Sequence, residues 1–224
     1  MNFNIFCDSS LPVGGYIFSH GLETKVSLGL VKSEQDLIHF LRESMYNLQF
    51  TTTPFVEKTF FLLKDTSDST IIREIINLDK EIDTFYSGNS VLFNASKTSG
   101  LAYLTCILKS QISGKEWLKE WKKLVLNEKS SGNFPIAFTI MGTSLNLSLQ
   151  DLVFSLLFTN LKNLVSAAIR LNVINSFDGL RLLLTLEKEI PDFISSSSKY
   201  SNTCPLLDIY QGRQEYLYSK LFHS

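Results

Sequence analysis

The side chains able to do chemistry are few and scattered. The imidazoles are His20, His39 and His223, and the thiols are Cys7, Cys106 and Cys204. A catalytic metal centre needs about three protein ligands at compatible spacing, and no HExxH or HxH arrangement is present. His20 and Glu23 lie three apart and read as a hydrogen-bonded surface pair. The cysteines are odd in number and widely spaced, which points to free, buried thiols in a reducing compartment. Val13-Gly14-Gly15-Tyr16 lacks the lysine and hydroxyl of a phosphate loop, and no strand precedes it. No Gly-x-Ser-x-Gly elbow occurs. The acidic pairs Asp79/Asp83 and Glu187/Glu189 read as parts of solvated faces. The expectation is therefore no catalytic residue, no resident metal and no cofactor.

Something must position whatever surfaces the chain uses, and its composition allows a substantial core. Of 224 residues, 44% are hydrophobic and 12% aromatic, enough apolar surface to offset the entropy of ordering. The 21 basic and 22 acidic residues leave a formal charge of −1, which argues against non-specific nucleic-acid binding. Met1–Cys7 has no basic region followed by a long apolar run, so no secretory signal is expected. The stretch Leu145–Ile174 is interrupted by Asp151, Asn160, Lys162, Asn163 and Arg170 and reads as a buried core helix rather than a membrane span. A cytoplasmic protein is expected.

Helical periodicity dominates. Ser33 and Asp36 form a capping-box pattern ahead of Leu37, Phe40, Leu41, Met45 and Leu48. Pro54 ends that run, because it lacks the donor a helix interior needs. Further helices are expected from Phe55 to about Lys64, from Thr70 to about Tyr86, over Ser90–Lys109 and over Lys115–Asn127. The clearest helix begins near Ser148 and runs to Ala168 with apolar residues at i, i+3, i+4 and i+7. It is apolar on more than one face, so it should be central. Another helix is expected over Phe177–Ile190, and a last one over Leu206–Phe222. The fold class is all-α: one domain over residues 1–224, a bundle of about eight to ten helices at a mean of roughly 11–12 residues each. Pro191 and the run Ser195–Ser198 mark a flexible linker near 191–204, followed by a docking segment at 205–224.

Two features look like contact surfaces. Leu11-Pro12-Val13-Gly14-Gly15 is a restricted turn that either enters the first helix or meets a partner. The tail carries Leu206, Leu207, Ile209, Tyr210, Tyr216, Leu217, Tyr218, Leu221 and Phe222, which must be buried on the bundle or on another protein. Aromatic anchors suit the second role, and a flexible linker lets the tail reach outward.

Three blocks of sequence together resemble the UreF family of urease accessory proteins. The first is Ser10–Tyr16 continuing through Phe18-Ser19-His20-Gly21-Leu22-Glu23. The second is Asn163-Leu164-Val165-Ser166-Ala167-Ala168-Ile169-Arg170-Leu171. The third is Pro205–Ile209 with Arg213, Glu215 and Tyr218–Phe222. Leu78-Asp79 and Gly132-Asn133-Phe134-Pro135 are weaker matches, and family members often carry His in place of Asn133. The resemblance implies a cytoplasmic, all-helical, non-catalytic protein that forms a homodimer. It would join a UreD/UreH-type scaffold and the GTPase UreG in delivering nickel to apo-urease. It assigns the scaffold contact to Pro12, Gly14, Gly15, His20, Glu23, Leu207, Asp208, Arg213, Glu215, Tyr218, Leu221 and Phe222. It assigns the core or dimer contact to Asn163, Ser166, Ala167 and Arg170. On its residues alone, Arg170 also reads as a charge closing a buried hydrogen-bond network. The competing class is an all-α enzyme with a pocket between helices around His20, Glu23 or Arg170.

Overall fold

Helix boundaries follow local chemistry throughout the computed structural model, which describes residues 21–195 and 209–210. Among the described residues there are helices and no strand, so the fold class is all-α as expected. Eight α-helices have eleven or more residues and two have six. They are α1 (Leu22–Ser27), α2 (Glu34–Thr51), α3 (Thr53–Asp65), α4 (Ile71–Tyr86), α5 (Ser90–Lys109), α6 (Glu116–Leu126), α7 (Phe134–Ser144), α8 (Leu149–Arg170), α9 (Ser176–Leu186) and α10 (Ile190–Ser195). A 3-10 turn, Glu187–Glu189, joins the last two. The first 20 residues, the tail expected to form a last helix (apart from Ile209 and Tyr210, which are helical), and Cys204 of the expected linker lie outside the described residues.

The expected capping box is present. The Asp36 N–H donates to Ser33 Oγ at 3.2 Å, and the Ser33 N–H returns to Asp36 Oδ2 at 3.0 Å. The backbone N–H of Lys32, then the Ser33 hydroxyl and N–H, hold the Asp36 carboxyl below its usual pKa. A lowered carboxylate pKa stabilises the folded form at neutral pH, and that support fades as pH falls through the folded value. Ser148 and Asp151 build the same box at the start of α8, and Asn89 and Asn175 cap α5 and α9. Pro54 stands in the first turn of α3, where its missing N–H costs nothing. Pro191 sits likewise in the first turn of α10. The expected linker therefore begins with a helical turn, and its remainder from 196 on lies outside the described residues.

The chain divides into two compact units. In one, covering 52–153, the interior is built around α7. Phe134, Pro135, Ile136, Ala137, Phe138, Thr139, Ile140, Met141 and Gly142 are all buried. A helix apolar all round must sit inside, and each large side chain there contributes about 1.5–3 kcal/mol on burial. Reading the sequence missed α7, because continuous apolarity leaves no periodic signal. It packs mainly on α5 and α3. Small residues Ala95, Ser96, Ser99 and Gly100 line the buried side of α5. A Cβ on Gly100 would lie 1.8 Å from the Gly132 carbonyl oxygen, so only glycine allows that approach.

The other unit joins α1 and α2 to α8 from Phe154 onward, α9 and α10. Residues 149–170 are the one described helix long and apolar enough to cross a membrane, and most of it is buried. Leu156, Leu157, Leu161, Leu164 and Val165 form its interior face, which matches the expected core helix. The Asn160 amide nitrogen donates to Ser44 Oγ on α2 at 3.1 Å. Gln49 Nε2 donates to the Phe193 carbonyl at 2.8 Å, and Tyr46 meets the Phe193 ring edge-on. Arg42 donates to both Glu189 oxygens at 2.9 and 2.7 Å. Glu189 is thus an ion-pair acceptor at a half-buried position rather than part of a free solvated face.

Gly100→Ala is expected to destabilise the protein by about 1–3 kcal/mol, the usual cost of forcing atoms into a packed interior. Gly88→Ala, where a Cβ meets nothing within 4 Å, should stay within about 0.5 kcal/mol of the parent. Urea denaturation of the two variants checks both values.

Candidate interaction surfaces

Most residues assigned to the scaffold contact lie outside the described structure: Pro12, Gly14, Gly15, His20, Leu207, Asp208, Arg213, Glu215, Tyr218, Leu221 and Phe222. Glu23 is described. It stands in the first turn of α1, a 5% exposed side chain.

The central motif on α8 is sorted by helical phase. Leu164, Val165, Ala167 and Ala168 are buried, whereas Asn163 and Ser166 are half-buried and Arg170 is exposed. Asn163, Ser166 and Arg170 are spaced i, i+3 and i+7, which puts them on one outward stripe. Ala167 is therefore a core residue. The reading of Arg170 as a buried charge is corrected: it occupies the last turn of α8, where a cation faces the negative end of the helix dipole.

A second exposed surface, which the sequence did not single out, lies on α9. Gly179 lets α9 approach α8 closely, since a Cβ there would come within 2.8 Å of Ile169 Cδ1 and 3.1 Å of Val165 Cγ1. With Gly179, Leu182 and Leu186 turned inward, the opposite face of α9 presents Phe177, Leu180 and Leu184. These are 86%, 58% and 55% exposed. Three large apolar side chains at i, i+3 and i+7 form a stripe, which carries more meaning than scattered exposed leucines. Arg181 lies among them, paired with Glu34 at 2.6 Å and with Asp178 at 3.1 Å. Leucines on both faces of α9 hid the outward stripe from a periodicity reading.

The expectation that Asp79 and Asp83 lie on a solvated face is also corrected. Asp79 is 1% exposed and forms no ion pair with a described residue. Its carboxylate accepts from the Gly132 N–H at 2.7 Å, the Asn133 N–H at 2.9 Å, Asn133 Nδ2 at 2.8 Å and the Ser130 hydroxyl. Asn133 Nδ2 also donates to Asp83 Oδ1 at 2.7 Å, and Ser131 Oγ donates to Asp83 Oδ2 at 2.7 Å. At its other end, Asn133 Oδ1 accepts from Ser96 Oγ at 2.9 Å. Trp121 Nε1 donates to Ser130 Oγ at 2.9 Å, which ties α6 into the same network. The donors come from about fifty residues downstream, so local spacing on α4 gave no sign of them. A buried amide that serves two carboxylates at once explains why polar residues are retained here inside an apolar unit.

Because two buried backbone N–H groups would lose their acceptor, Asp79→Ala should cost about 2–4 kcal/mol. Asp83→Ala, at a half-buried position, should cost less. Thermal and urea unfolding of both variants measures the difference.

Among the described residues, no three of His, Cys, Asp and Glu converge on a point where a metal ion could sit. Cys106 is a buried free thiol. Comparison with known proteins explains the design better than any catalytic scheme. The UreF family model matches residues 31–187. A urease accessory protein UreF-like protein of Schizosaccharomyces pombe is 26% identical, over 98% of this chain and 95% of its own length. UreF of Azoarcus sp. strain BH72 is 26% identical, over 96% of this chain and 91% of its own. Urease accessory protein F of Arabidopsis thaliana is 29% identical, over 97% and 89%. With the family match covering the helical body from just before α2 to the end of α9, this chain belongs to the UreF family of urease accessory proteins.

Proposed function

We propose that this chain is a non-catalytic adaptor in urease maturation. It joins a UreD/UreH-type scaffold to a UreG-type GTPase in the cytoplasm, so that nickel is inserted into apo-urease. The observation that carries this reading is the family match over residues 31–187, reinforced by urease accessory proteins that align along nearly the whole chain. Nickel is cargo of the assembly in this scheme, and this chain contributes surfaces rather than a cofactor site.

The scaffold contact is proposed to involve the N-terminal segment with Pro12, Gly14, Gly15, His20 and Glu23. The C-terminal segment with Leu207, Asp208, Arg213, Glu215, Tyr218, Leu221 and Phe222 would complete it. The homodimer contact is proposed on the outward side of α8 and α9. Arg170 and Ser166 supply polar contacts there, and Phe177, Leu180 and Leu184 supply apolar area. An exposed apolar stripe rimmed by polar groups is the kind of surface that a stable partner covers. The competing class, an enzyme with a pocket around His20, Glu23 or Arg170, is not proposed, since Glu23 is buried and Arg170 exposed while His20 lies outside the described residues.

Deleting Pro205–Ser224 should abolish pull-down of the UreD-type partner while the helical circular-dichroism signal of the remaining chain persists. Binding retained by the folded truncation would overturn the tail assignment. Leu180→Asp should shift the sedimentation coefficient from dimer to monomer with helicity unchanged. A variant that remains dimeric would move the dimer contact elsewhere.

A further inference from the structure

Lys25 stands in the last turn of α1, with a side chain only 15% exposed. Lysine is seldom covered to this extent unless its charge is met. Here the ammonium meets Glu43 Oε2 on α2 at 3.0 Å. It also lies 5.0 Å from the centre of the Phe40 ring and 5.3 Å from that of Tyr210. A cation within about 6 Å of a ring is attracted by the ring quadrupole. Phe40 is 1% exposed and gives the contact a fixed base. Tyr210 is half-buried and belongs to a helical pair with Ile209, near the other end of the chain. One ammonium therefore ties α1, α2 and the start of the tail to the same point.

Chain length limits how far the neighbours of this contact can stray. A fully extended chain covers about 3.3–3.6 Å per residue. His20 and Glu23 precede Lys25 by five and two residues, and Leu207, Asp208 and Arg213 lie within three residues of Tyr210. Along the backbone, the first pair is thus held within about 18 Å of Lys25, and the other three within about 11 Å of Tyr210. A binding surface of ordinary size, about 800 Å² on each partner, is roughly 30 Å across. The contact between Lys25 and Tyr210 brings residues from both ends of the chain within reach of one such patch.

We propose that Lys25 is a positioning residue that joins the N-terminal and C-terminal segments into one binding surface for the scaffold protein. It acts through Tyr210, and neither residue is among those assigned to the scaffold contact itself. Seating Tyr210 beforehand removes part of the cost of ordering the tail when the partner arrives. Glu43 fixes the ammonium, and the two rings fix its direction. The identity of the partner rests on the urease reading, whereas the anchor stands on the contacts of Lys25.

The full chain is titrated with the UreD-type scaffold, and its affinity is compared with those of Lys25→Met, Tyr210→Leu, the double variant and Lys25→Arg. Lys25→Met should weaken binding about three- to tenfold, and Lys25→Arg, whose cation also stacks on rings, should restore most of it. Because Lys25 acts through Tyr210, the double variant should bind no more weakly than Tyr210→Leu alone. Losses that multiply in the double variant, or a Lys25→Met chain that binds as tightly as the parent, would overturn the anchor. A second readout needs no partner. In the free chain the Lys25 ε-methylene protons, held against two rings, should resonate upfield of an ordinary lysine and move back in Tyr210→Leu. Ordinary positions in the parent would overturn the anchor even where the scaffold binds. A folded parent that shows the upfield protons and yet does not bind the scaffold would overturn the urease reading, and the scaffold surface with it, while the anchor stands.

Discussion

The Asp79 carboxylate is buried and forms no ion pair with a described residue, so its oxygens are satisfied by hydrogen bonds. Four donors from residues 130–133 supply them, and the consequences spread through the 52–153 unit. Gly132 takes a left-handed conformation (φ 68°), which glycine adopts without strain. Its carbonyl presses against Gly100 on α5, and the chain then enters α7 at Phe134. Ser130 carries the Trp121 indole with it and so fixes the end of α6. One buried charge thus sets the relation of α4, α5, α6 and α7. Asn133 lies inside this network, where its amide provides a donor at one end and an acceptor at the other.

How much of this was legible beforehand depended on the range of the interactions. The Ser33/Asp36 box and the helix starting at Ser148 were readable because a cap is a local contact across three residues. The interior phase of α8 was readable because its leucines recur at helical spacing. Helix α7 was not, since Phe134–Gly142 is apolar on nearly every face and so carries no periodic signal. Asp79 and Asp83 were misassigned because a pair of acids one turn apart fits a solvated face equally well. Only the loop fifty residues away decides otherwise. Arg170 was given a buried role from its apolar neighbours, yet its place in the last turn turns it outward. The stripe Phe177, Leu180 and Leu184 was hidden because α9 has leucines on both faces, and only packing on Gly179 chooses between them.

The chain's buried polar groups hold helices in register, at Asp79 and at Asn160 with Ser44, and Arg42 with Glu189 does the same nearer the surface. The exposed material is of a different kind: an apolar stripe on α9 and a polar stripe on α8. The proposed adaptor role needs several such faces, because a scaffold, a GTPase and a second copy of this chain cannot share one.

The central claim is that this chain brings a scaffold and a GTPase together for urease maturation. It is tested most directly by purifying the intact chain alongside UreD-type and UreG-type proteins, singly and together, with and without GTP. The account predicts one complex containing all three proteins, in which the GTPase is retained only when this chain is present and the nucleotide is bound by the GTPase alone. A GTPase that associates with the scaffold equally well in its absence, or a folded chain that binds neither protein, would contradict it.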